Sequence, residues 1–325
     1  MGKDFLGSKM GRYYTHLAIR NRAAGSISLP MIVIRGRSAR PTLLVTAGSH
    51  PTEYVGVEAA LRLSRRLNPK KIRGRVIIVP FVNILGFNAR APGTCPEDSV
   101  DIFSAFPGMG GGTVSYAIAH ELFEKVVRQA DYVVDLHGGE LNESESLFLA
   151  WHCRVGNTRV DRASERLART FGPDYVLDAS KIWVDRERST LPKGLLAYEA
   201  AKLGKAAIIG EGGGSGRVGE SETRRLLEGL IRVCTAIGII RGDVKERPSA
   251  RVHDLTLLTT WFDGLLSCKV RVGNRVSRGD LLAEVRDWKG SVLQKISAPY
   301  DGIVEITVNW MPVRAGEYVL AMVRY

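Results

Sequence analysis

The chain has 325 residues, 45% hydrophobic and 25% charged, which is ordinary globular usage and excludes a disordered polypeptide. Its 46 Lys and Arg against 34 Asp and Glu give a net charge of +12, yet the basic residues are scattered and no aromatic residues interleave with them, so no nucleic-acid partner is expected. Cys95, Cys153, Cys234 and Cys268 sit far apart with no CxxC pair, which excludes a zinc ribbon or disulfide scaffold and points to a reducing, cytoplasmic setting. The N-terminal residues lack the apolar segment of a secretory signal. The longest apolar run, 76–82, is far short of the ~20 residues of a membrane span, so no membrane partner is expected either.

In chain order, Thr42–Ala47 is an apolar run ending at Gly48 and reads as a buried strand. Residues 55–67 read as a helix and 75–82 as a second buried strand. Residues 113–129 read as an amphipathic helix on which Val114, Ile118, Leu122 and Val126 share one face. Strands follow at 132–136 and 147–151, then helices at Thr158–Phe171 and 195–203, a strand at 206–210 and a helix at 220–237. Such alternation predicts an α/β fold with a mostly parallel sheet covered by helices on both faces.

The pattern changes at Arg247-Pro248-Ser249, a loop signal that divides the chain into 1–248 and a β-rich tail, 249–325. The tail repeats itself. Asp263-Gly264-Leu265-Leu266 returns as Asp301-Gly302-Ile303-Val304, and Gly279-Asp280-Leu281-Leu282 as Gly316-Glu317-Tyr318-Val319. Neither half can bury a core alone, so the copies should pack together as a small all-β unit. The tail resembles the barrel-sandwich fold of biotinyl and lipoyl carrier domains, in which a lysine between the halves is modified. Lys289 lies near that position, but its surroundings match neither signature, so an unmodified lysine is expected. The tail is expected to shape or shield the entrance of a site on the larger part.

The candidate chemistry lies at strand ends, where open α/β sheets bind ligands. The strand Thr42–Ala47 runs into Gly48-Ser49-His50-Pro51-Thr52-Glu53. His50 and Glu53 are two members of a His₂Glu zinc set, although a Glu here can also cap a helix. A second strand ends in Asp135-Leu136-His137-Gly138-Gly139. His137 would be the third ligand, and Asp135, on the same strand face, could orient a ligand from behind. A third ends in Gly210-Glu211-Gly212-Gly213-Gly214, where Glu211 could take a proton from metal-bound water. Residues 214–219 also fit GxGxxG, but they follow a late strand and lack the acidic residue that a dinucleotide site needs. His16, His120, His152 and His253 have no such setting and read as structural.

HxxE, then Asp-Leu-His, then a strand-end Glu before glycines together resemble the succinylglutamate desuccinylase/aspartoacylase family, relatives of the zinc carboxypeptidases. Residues 83–87 (NILGF) and Phe106-Pro107-Gly108 match further landmarks. The resemblance implies a carboxypeptidase-like mixed sheet, one zinc per chain on His50, Glu53 and His137, and Glu211 as general base and acid. It implies hydrolysis of the amide of a small N-acyl compound. Two departures stand out. The family's Asp-Leu-Asn-Arg reads Asp101-Ile102-Phe103-Ser104 here, so Phe103 and Ser104 replace the Asn–Arg pair that grips a substrate carboxylate. The family's oxyanion-stabilising Arg falls at Gly93, leaving Arg90 as the nearest candidate.

The sequence therefore predicts a zinc-dependent deacylase acting on a small N-acyl substrate, compatible with a homo-oligomer. A carboxypeptidase-like peptidase and a metal-binding relative with lost or changed catalysis are the alternatives. Poor activity is expected on acetyl-aspartate and succinyl-glutamate, and better activity where the amine side is neutral or apolar. Arg186 or Arg188 could replace the missing clamp.

Overall fold

A computed structural model of the protein describes residues 6–21, 25–145, 147–185, 187–188, 192–245 and 247–325. Among them, nine strands form the main sheet. Their order is Gly11–Asn21, Gly25–Arg35, Arg75–Val79, Thr42–Ala47, Tyr132–His137, Ala206–Glu211, Leu149–His152, Tyr175–Asp178 and Ala250–Arg251. The centre, from Arg75–Val79 to Ala206–Glu211, is parallel, so the three strands that lead into the candidate residues end on the same edge. Antiparallel pairs flank it, which makes the sheet mixed.

Period two sorts the side chains of these strands into two cores. Leu44, Val133 and Ile209 face one, with the helices Val114–Lys125 and Leu196–Lys202. Leu43, Val45, Val134 and Ile208 face the other, with Tyr54–Arg66, Thr158–Phe171 and Glu220–Ala236. Burial on both sides is why the strands read as unbroken apolar runs. The second strand stops at Val79, before Pro80, which has no N–H for a ladder. The helix read at 113–129 ends at Lys125 and continues as a 3₁₀ turn, Val127–Gln129. The structure adds an N-terminal hairpin, Gly11–Asn21 with Gly25–Arg35, whose Leu17, Ile19, Ile27, Leu29 and Met31 alternate into the first core.

The tail builds two sheets. One contains Leu281–Arg286, Val292–Ser297, Gly264–Cys268 and Pro312–Val313. The other contains Asp254–Thr259, Tyr318–Arg324, Gly302–Val308 and Arg275–Val276 and also takes in Ile182–Val184, Glu187–Arg188 and Glu143–Glu145 from before residue 248. One face of this second sheet joins the main core through Leu255, Ile303, Ala321 and Val323. Its other face makes a core with the first sheet, where Leu266 and Leu282 of one repeat meet Val304 and Val319 of the other. The two repeat copies thus pack together, and the sheet they share is joined to the larger part by strand pairing and by a common core.

Candidate active site

His50 lies in the loop after Thr42–Ala47, and Glu53 sits at the N-cap of the helix Tyr54–Arg66. Glu53 makes no capping bond; its carboxylate turns to the histidines instead. Glu53 Oε1 is 2.6 Å from His50 Nδ1, and Oε2 is 2.9 Å from His137 Nδ1. Both imidazoles are oriented from their far nitrogens. Asp135 Oδ2 is 3.0 Å from His137 Nε2, and the other Asp135 oxygen accepts the Thr46 hydroxyl at 2.6 Å. Asp101 Oδ1 is 3.4 Å from His50 Nε2 and also accepts the Phe103 N–H at 2.9 Å. Sequence reasoning missed this role of Asp101, although Asp101 opens the segment that carries Phe103 and Ser104. Period two puts Asp135, His137 and Glu211 on one sheet face, and in the ladder Glu211 is the partner of His137.

The donor atoms of His50, Glu53 and His137 lie within 4.8 Å of one another. Glu53 Oε2 is buried and lacks an aligned hydrogen bond, despite its approach to His137. Two imidazoles with Nδ1 directed at one carboxylate, and each Nε2 beside another, suit a divalent metal with braced ligands. Burial lowers the pKa of His137, but the Glu53 and Asp135 charges outweigh it and push it up to about 10. His50 is raised in the same way by Glu53 and Asp101.

His50, Glu53, Asp101 and His137 line a cavity of about 330 Å³ together with Glu211, Phe103, Gly93 and Tyr318. Burial pushes the Glu211 carboxyl up to about 8, against the pull of His137 and with the Glu53 charge adding to the rise. The Phe103 ring packs against both imidazoles, with centroids 4.9 Å from His50 and 4.6 Å from His137. Ser104 is exposed, bonds back to Asp101 at 3.3 Å and does not line the cavity. Arg90 is exposed at the left-handed C-cap of the helix Ile84–Ala89 and is likewise not a lining residue. Gly93 does line it, and its N–H donates to Glu140 Oε1 at 2.8 Å. Arg186 lies outside the described residues, and only the backbone of Arg188 is described. None of His16, His120, His152 and His253 lines the cavity.

The glycines after the strand-end residues serve close packing. The loops after His137 and Glu211 cross, with the Gly139 N–H donating to the Gly213 carbonyl at 2.7 Å. A Cβ on Gly138 would lie 2.6 Å from the Gly212 oxygen, and one on Gly214 2.6 Å from the Glu143 oxygen. Backbone proximity therefore accounts for part of the GxGxxG pattern.

A profile of the succinylglutamate desuccinylase/aspartoacylase catalytic domain matches residues 39–237, a span that holds His50, Glu53, His137 and Glu211. The chain belongs to this family. It is 28% identical over 310 residues to the N-alpha-acetyl-L-2,4-diaminobutyric acid deacetylase of Halomonas elongata, covering 93% of this chain and 87% of that one. Its fold matches the product-bound ectoine utilization protein EutE (DoeB) of Ruegeria pomeroyi with a TM-score of 0.85 at 25% identity, covering 98% and 97% of the two chains. A succinylglutamate desuccinylase from Silicibacter sp. matches with a TM-score of 0.84 at 25% identity, over 98% and 96%. These matches extend past the catalytic domain into the tail, and the family is one of deacylases with a zinc-carboxypeptidase-like α/β fold. Among the described residues no helix is long and apolar enough to cross a membrane.

Proposed function

We propose that the protein is a zinc-dependent amidohydrolase that removes the acyl group from a small N-acylated amine. One observation carries this reading: a His-Glu-His cluster, with Glu53 and His137 buried and His50 half-buried, shares a cavity with Glu211, whose buried Oε2 has no hydrogen-bond partner among the described residues. His50 and His137 would hold the ion through Nδ1, with Glu53 between them. Zinc bound there supplies a Lewis acid for the scissile carbonyl and draws the pKa of its water toward ~7. Glu211 takes the proton of the attacking water and returns it to the leaving amine, so the C–N bond breaks and a carboxylic acid and an amine leave. Asp101 and Asp135 keep the imidazoles aimed, and Phe103 excludes water from their open side. With Gly93 lining the cavity where the family has an arginine, no arginine side chain of the described residues stands ready for the oxyanion. Four free cysteines fit a cytoplasmic setting.

The test is release of free amine by the zinc-loaded protein from a panel of acetyl amides, beginning with the substrate in the Halomonas relative's name. Loss of that release in Glu211→Gln supports the reading. A zinc-loaded protein inert on the whole panel but active on short peptides would replace it with a carboxypeptidase-like one.

A further inference from the structure

The cavity is acidic against the trend of the chain. The protein carries a net +12, yet among the described residues no Lys or Arg side chain lines the cavity. Asp101, Glu53, Glu140, Glu143, Glu145 and Glu211 do. Most of these carboxylates are engaged. Asp101 and Glu53 hold the histidines, and Glu211 is the base. Glu140 accepts from the Thr52 hydroxyl and the Gly93 N–H. Glu143 accepts from the Tyr318 hydroxyl and the Glu140 N–H. Glu145 has no such role: its Oε2, like those of Glu53 and Glu211, is shut off from solvent and has no hydrogen-bond partner among the described residues. A carboxylate oxygen kept dry and unpaired is costly unless a ligand or a proton meets it.

Glu145 pairs in register with Ile306 of the tail. The rest of the cavity wall includes the hydrocarbon side chains of Ile182, Ile209, Leu255, Leu257 and Ile306, with the Trp151 indole, whose Nε1 is also buried and unpaired among the described residues. A guest suited to both features carries a short methylene chain and a cationic end. A guest with a carboxylate beside the scissile amide would meet other carboxylates and no cationic side chain of the described residues, apart from the imidazoles that hold the metal. The expectation of a neutral or apolar amine side accounts for the wall but not for Glu145.

We propose that the preferred substrate is a mono-N-acylated aliphatic diamine without a carboxylate, its free ammonium paired with Glu145 and its methylenes laid on Leu255, Leu257 and Ile306. This rests on the deacylase reading and narrows its amine side. The products are a carboxylic acid and the free diamine, with water the only co-reactant.

Three acetyl amides of one chain length test it on the full-length, zinc-loaded protein. They are N-acetyl-1,3-diaminopropane, its carboxylated counterpart Nα-acetyl-2,4-diaminobutyrate, and N-acetylpropylamine, which lacks the ammonium. The diamine should have the highest kcat/KM, by about tenfold or more, the scale of one charge-assisted contact. Calorimetry should show free 1,3-diaminopropane binding more tightly than propylamine or 2,4-diaminobutyrate. Glu145→Gln should lower the diamine-to-propylamine ratio of kcat/KM about tenfold. Equal or faster turnover of the carboxylated amide overturns the inference and leaves the deacylase reading standing. An unchanged ratio in Glu145→Gln, with a native melting temperature, removes Glu145 from the subsite. If that variant does not fold, the wild-type order of the three amides decides alone. Selective diamine binding without cleavage of any amide keeps the subsite and overturns the deacylase reading; neither binding nor cleavage overturns both.

Discussion

On one side of the cavity, His137 ends the strand Tyr132–His137 with Asp135 against it on the same sheet face, and His50 and Glu53 follow the adjacent parallel strand Thr42–Ala47. On the other side, Gly93 comes from a loop, Phe103 from the 3₁₀ turn Ile102–Ser104, and Leu255, Leu257 and Ile306 from a different sheet. Asp135 and His137 are tied to the register of the central ladder, where a one-residue slip would turn both side chains to the wrong face. The residues on the other side are tied to no ladder of that sheet. Residues such as Phe103 and Ser104 can therefore differ from the Asn–Arg pair that the resemblance implies while the His50, Glu53 and His137 cluster is kept. On the proposed function, chemistry and selectivity are anchored separately.

That separation can be broken deliberately. The largest effect should come from the ladder side: His50→Ala or His137→Ala should abolish stoichiometric zinc binding, read by elemental analysis. Unchanged zinc in both variants would remove these residues as ligands. Next, Glu211→Gln should retain zinc and lower turnover at least ~100-fold, the usual scale of general acid–base help. A variant that kept turnover and lost only melting temperature would make Glu211 structural.

A smaller effect is expected one layer out. Asp135→Asn should weaken zinc affinity ~10–100-fold, because the carboxylate fixes the His137 ring and raises its basicity. Competition with a chelator measures it, and an affinity equal to wild type would leave Asp135 with no part in holding the metal.

The metal-free protein should also lose stability as pH rises from about 5 to about 8. Burial pushes Glu143 up to about 7 and Glu211 up to about 8, so the folded state holds protons that the unfolded state has released. His137, pushed up to about 10, acts in the same direction above the ordinary imidazole range. Melting temperature should therefore fall across this window and fall less in Glu143→Gln. A flat or rising profile would contradict the protonated cluster. Smallest of all, Lys289 should carry no adduct. It sits in the hairpin between Leu281–Arg286 and Val292–Ser297, its N–H donating to Asp287 Oδ1 at 2.9 Å. Intact mass should equal that of the bare chain.

Several of these features were legible locally. Apolar runs that end in His50, His137 and Glu211 announced strand ends, and period two linked Asp135 to His137. The repeat around Gly264 and Gly302 announced two halves that share a core. The hairpin at the N-terminus was also written in the alternation of Leu17, Ile19, Ile27, Leu29 and Met31, but it bears no strand-end chemistry to draw attention to it.

By itself, then, the sequence determined which side chains could hold a metal and move a proton, because strand ends and period two are local properties of the chain. Only the tertiary structure decided what surrounds them. Asp101 reaches His50, Phe103 covers both imidazoles, and Glu145, Leu257 and Ile306 enter the cavity, while Arg90 and Ser104 stay outside it. Each of these placements depends on how loops and two sheets pack against one another. Such long-range packing leaves no periodic trace in the residues it brings together.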